Sequence, residues 1–123
     1  MPTYQNLNPP LSLSPGDLGF SWNNEAFPSA NTAGTQFAIP AYAGQPNTGY
    51  AVRWQILFGG APSALNIVLQ GAMSDIDAEY FLIDTSTVLT GEARTVTGVQ
   101  AKFLRIKVVS STGGSGLTAK LQV

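Results

Sequence analysis

The chain has no cysteine and no histidine, and only 11% of its 123 residues are charged. These absences exclude disulfides, thiol chemistry, zinc sites built on Cys or His, and the commonest general base. Charge is scarcest on the N-terminal side, where residues 1–49 carry only Asp17 and Glu25. A net charge of −1 provides no basic field to hold nucleic acid or an anionic membrane. No stretch approaches the roughly 18 apolar residues of a membrane span. Met1-Pro2-Thr3-Tyr4-Gln5 offers neither a basic start nor an apolar run, so no secretory signal is expected. The expected place of synthesis is a cytoplasm-like compartment.

What is present divides the chain near residue 50. Seven of the eight prolines lie before it, among Pro9-Pro10, Pro15-Gly16, Asn23-Asn24 and a Ser/Asn/Thr/Gly-rich stretch at residues 29–35. These are turn and extended-chain signals with no helical period. Residues 1–35 are therefore expected to be an extended arm, and residues 36–123 a β-domain. Uncharged surface is often contact surface, so the arm's apolar residues Leu11, Leu13, Leu18, Phe20, Trp22 and Phe27 are the expected partner contacts. Trp22 has two readings, a cap on the end of the domain or an anchor in a partner's pocket.

Hydrophobic content of 44% suits one globular core. A strand is expected at residues 36–42, on an edge because Pro40 cannot donate a ladder bond. Alternation is clearest at residues 50–58, where Tyr50, Val52, Trp54, Ile56 and Phe58 share one face. Further strands are expected at residues 65–73, 80–84, 91–97, 103–109 and 117–123, with a turn at Asp84-Thr85-Ser86-Thr87. In residues 103–109, Leu104, Ile106 and Val108 point inward and Arg105 and Lys107 toward water. Short strands every 8–14 residues, with no helix between them, indicate an all-β fold, an antiparallel β-sandwich or jelly roll with an extended N-terminal arm.

Few residues suggest chemistry. Asp75, Asp77 and Glu79 place carboxylates at alternate positions and form a weak calcium candidate. Their spacing departs from the EF-hand loop, with Tyr80 where its glycine would stand and Ser86 where its glutamate would. Otherwise the three make a solvated acidic turn. Asp75, Asp77, Asp84 and Glu92 could supply a glycosidase's carboxylate pair, but a core this small leaves little room for its cleft. A serine nucleophile would need Lys120 as base, and Gly113-Gly114-Ser115-Gly116 lacks the Lys-Ser/Thr pair of a phosphate loop. Arg94, Lys102, Arg105 and Lys107 are too scattered to indicate a nucleic-acid surface. No catalytic residue, no resident metal and no cofactor is expected, and the chain reads as non-enzymatic.

Three segments carry a resemblance. Ile67-Val68-Leu69-Gln70-Gly71-Ala72-Met73-Ser74-Asp75, Tyr80-Phe81-Leu82-Ile83-Asp84-Thr85-Ser86-Thr87 and Ala101-Lys102-Phe103-Leu104-Arg105-Ile106-Lys107-Val108 occur in order. Together with the loop Ser111-Thr112-Gly113-Gly114, they resemble small β-sandwich structural proteins of tailed-phage virions, among them capsid decoration or cement proteins. The resemblance covers roughly residues 50–123. It implies a virion location, the major capsid protein and neighbouring copies of the chain as partners, a dimer or trimer, and no nucleic acid or membrane. It also implies a strap-like use of the arm between subunits. A neck or tail-surface protein is the nearest alternative. Discoidin-like carbohydrate-binding modules share the strand order, and that reading expects an aromatic platform from Tyr42, Tyr50 or Tyr80.

Overall fold

The computed structural model describes residues 11–40 and 48–123. Ten strands lie in them: β1 Leu11–Ser12, β2 Leu18–Glu25, β3 Thr32–Ala33, β4 Phe37–Ala38, β5 Tyr50–Leu57, β6 Ala64–Ala72, β7 Phe81–Ser86, β8 Glu92–Val99, β9 Phe103–Thr112 and β10 Leu117–Gln122. A 3-10 turn, Asp77–Glu79, interrupts the β6–β7 connection. One sheet runs β1-β4-β9-β6-β7, with β3 also paired to β9, and the other runs β2-β10-β5-β8. All pairings are antiparallel except that of β1 with β4. The fold is a β-sandwich.

Period-two patterning places the core between the sheets. Val52, Trp54 and Ile56 of β5, with Leu117, Ala119 and Leu121 of β10, face Leu65, Ile67 and Leu69 of β6 and Leu104, Ile106 and Val108 of β9, all buried. Gly71 continues the inward row of β6 without a side chain. A Cβ there would lie 2.7 Å from both Ala101 Cβ and Ile83 Cδ1, so its neighbours already fill the place.

The structure differs from expectation at four points. Residues 11–33 are not an arm beside the sandwich; they contribute β1, β2 and β3 to its two sheets. The surface that β2 needs is β10 of the same chain, with Leu18 opposite Gln122 and Glu25 opposite Leu117. β4 is not an edge, because β1 lies outside it and Pro40 follows the strand; residues 41 and 42 of the expected strand lie outside the described residues. Asp84, Thr85 and Ser86 are strand rather than turn. The chain reverses later, before Gly91, whose φ of 84° brings the backbone so near β5 that a Cβ would meet Ile56 O at 2.5 Å. Finally, Arg105 points outward as expected, yet it is only 3% exposed.

Candidate interaction surface

The six residues expected to contact a partner fall into three groups. Leu13 and Trp22 are buried in the chain's own core. Phe27 is half-buried and stacks on Phe58, with ring centroids 5.5 Å apart. Leu11, Leu18 and Phe20 remain exposed. A β-bulge causes the split. Lys120 pairs with Phe20 but Ala119 pairs with Trp22, so Ser21 is an extra residue in β2. Leu18 and Phe20 therefore face outward while Trp22, in the same phase by sequence, turns into the core.

The acidic segment became a cover. The β6–β7 loop folds back over the outer face of its own sheet, where Arg105 stands opposite Gln70. Arg105 Nε donates to Gln70 Oε1 (2.8 Å), Nη1 donates to Asp77 Oδ1 (2.6 Å), and the guanidinium lies 3.9 Å from the Tyr80 ring centroid. Tyr80 OH donates to the buried Asp75 (2.8 Å). Burial, then this hydrogen bond and the Asp75 charge, push the Tyr80 phenol pKa up. Asp77 thus faces a cation and Asp75 a phenol, whereas Glu79 is exposed. Among the described residues no group of three carboxylates converges for a metal. An arginine 28 residues further along the chain could not be anticipated from spacing within the loop.

A second polar cluster joins the sheets. β7 and β8 are the neighbouring edges of opposite sheets. Asp84 Oδ2 of β7 accepts from Trp54 Nε1 (2.9 Å) and Arg94 Nε (2.7 Å), while Glu92 accepts from Arg94 Nη1 (3.2 Å) and Ser86 Oγ (2.7 Å). Two of the four carboxylates weighed for glycoside hydrolysis, Asp84 and Glu92, thus share one guanidinium. Burial opposes ionisation of Asp84, but hydrogen bonds from Arg94, Trp54 and the Thr85 N–H outweigh it and hold its carboxyl below the usual range. A depressed folded-state pKa means that the unfolded chain binds the proton more readily. The contribution is therefore present above the ordinary Asp pKa of about 3.9 and lost as pH falls through the folded value. Asp84→Asn should flatten the acid limb of a stability-against-pH curve; an unchanged limb would contradict this.

Two of the surfaces that keep apolar side chains exposed border a hollow. Beside the β7–β8 cluster, Phe81 and Leu82 (46% and 62% exposed) border a hollow of about 350 Å³, also lined by Val96, Gly98 and Val99. On the outer face of the four-stranded sheet, Phe20, Lys120 and Gln55 form one cross-strand row, and Leu18, Gln122 and Arg53 the next. Leu18 and Phe20 are 53% and 40% exposed, Lys120 Nζ lies 5.7 Å from the Phe20 ring centroid, and a hollow of about 170 Å³ lies among these residues. Of the other expected cations, Arg94 and Arg105 are committed to ion pairs. Of the expected aromatic platform, Tyr50 is half-buried with its OH donated to Ala101 O, Tyr80 lies over Arg105, and Tyr42 lies outside the described residues.

No family model matches the chain, and no curated protein sequence does. Among solved structures it is similar to the SPBc2 prophage-derived protein YomS. The likeness is one of fold. It covers 85% of this chain and 90% of that one, with a TM-score of 0.52 and 11% identity. At 85% of the chain the likeness extends beyond residues 50–123.

Proposed function

We propose that the chain is a non-enzymatic structural protein of a tailed-phage virion, a decoration or cement protein that binds the assembled major capsid lattice beside neighbouring copies of itself. The observation that carries the reading is a closely packed sandwich that keeps Leu18, Phe20, Phe81 and Leu82 on its surface, a pattern that marks contact sites. A fold like that of a prophage-derived protein supports the source. The work is mechanical. A protein that binds the assembled lattice and not its free subunits stabilises the assembled state by mass action, by about 2.7 kcal/mol per site at a hundredfold excess over Kd.

Heads assembled without the protein should burst at a lower temperature than complete ones, and adding purified protein should restore the difference. Protein that does not bind such heads would end this reading, and labelling at the neck or tail surface would replace it. Of the expected strap, residues 11–33 contribute strands to the sandwich itself. A deletion through residue 30 removes β1 and β2, with Leu13 and Trp22, and so tests folding rather than head binding.

A further inference from the structure

We infer that the outer face of the four-stranded sheet docks on an acidic protein surface, with Arg53 and Lys120 supplying the charge that selects it. The inference rests on the decoration reading and names the chemistry of the lattice surface. The sandwich has two outer faces. The β6–β7 loop covers one of them, pinned through Arg105, Asp77 and Tyr80. On the other, Leu18, Phe20 and Leu57 are exposed.

Around the hollow on this open face, charge has one sign. Lys120 stands opposite Gln55, and Arg53 opposite Gln122, so the two cations are diagonal neighbours on β10 and β5. Such positions lie about 7–8 Å apart, close enough for like charges to repel unless an anion sits between them. Among the described residues neither cation forms an ion pair, and no carboxylate lines the hollow between them. A chain of net charge −1 thus places two of its six cations side by side on its uncovered face. Gln55 and Gln122 beside them both donate and accept, and suit carboxylates and backbone alike.

The apolar neighbours decide between a protein and an acidic polysaccharide. Lys120 Nζ lies over the Phe20 ring, 5.7 Å from its centroid, and competes with a sugar for that ring face. Leu18, Phe20 and Leu57 offer the aliphatic and ring-edge contact of a protein interface, with the cations and amides around it. Electrostatic complementarity of this kind governs association rate and salt dependence more than it governs affinity.

The test uses the full chain and heads assembled without it, with association measured at low and high salt. Arg53→Glu and Lys120→Glu should each slow association about tenfold at low salt, and the double variant should lose the salt dependence of the parent. Lys102→Glu makes the same charge change on an exposed residue elsewhere and should bind like the parent. All three side chains lie on the surface, so thermal melts should coincide. A double variant that binds heads as the parent does, with the same salt dependence, overturns the inference and leaves the decoration reading standing. A parent that does not bind heads ends both. Alginate bound by the parent and not by the double variant would make the face a sugar site, and would also overturn the docking inference.

Discussion

Trp54→Ala is expected to destabilise the fold by about 3–5 kcal/mol, the range for removing a fully buried large aromatic side chain. Trp54 is 1% exposed, among the largest of the fully buried side chains, and stands in the middle of β5 between β10 and β8. β5 is held by ladders on both sides, so the surroundings can relax only partly into the cavity. The substitution also removes the Nε1 donor to Asp84, a bond that ties the four-stranded sheet to β7 of the other sheet. Trp54→Phe separates the two effects. It keeps most of the ring volume and should cost about 1–2 kcal/mol for the lost donor and the small residual void. Urea denaturation checks both, and an alanine variant with the parent's midpoint would remove Trp54 from the core.

Arg105→Ala should be the next most damaging change, at about 2–4 kcal/mol, and its damage should be local. The guanidinium engages Gln70 on its own sheet, and Asp77 and Tyr80 on the loop that covers it. Without it the loop loses its attachment to the sheet. Residues 73–80 should then exchange their amides faster and become the first site of proteolysis, while exchange in β5 and β10 changes little. Arg105→Lys keeps the charge without the planar fork or the stacking plane, and should recover only part of the loss. Asp77→Asn should cost less, because the Asp77 side chain is 39% exposed and water can replace part of what it gives. Loop exchange unchanged in Arg105→Ala would refute this account.

The all-β sandwich could be read from the chain because strand alternation is a local signal. Each of β5, β9 and β10 carries its inward residues at every second position, and each inward set is buried. The absence of cysteine, histidine and a basic field likewise bounds the chemistry from the sequence alone. Those features belong to single residues or to short windows, and folding does not alter them.

The interaction surface could not be read in the same way, because it depends on which distant segments meet. Leu18, Phe20 and Trp22 look alike in sequence, yet one extra residue at Ser21 sends Trp22 inward and leaves the other two exposed. That bulge exists only in the pairing with β10, nearly a hundred residues away. Proline and glycine around residues 11–35 read as an arm because they punctuate the chain, although the strands between them complete both sheets. Arg105 has the outward phase of a solvated cation, but a loop contributed by Asp77 and Tyr80 buries it. Arg53 and Lys120 are unremarkable in the chain, and only the β5–β10 register makes them neighbours on an uncovered face. Local patterning sets which side of a strand is apolar, whereas long-range pairing and register set what each side meets.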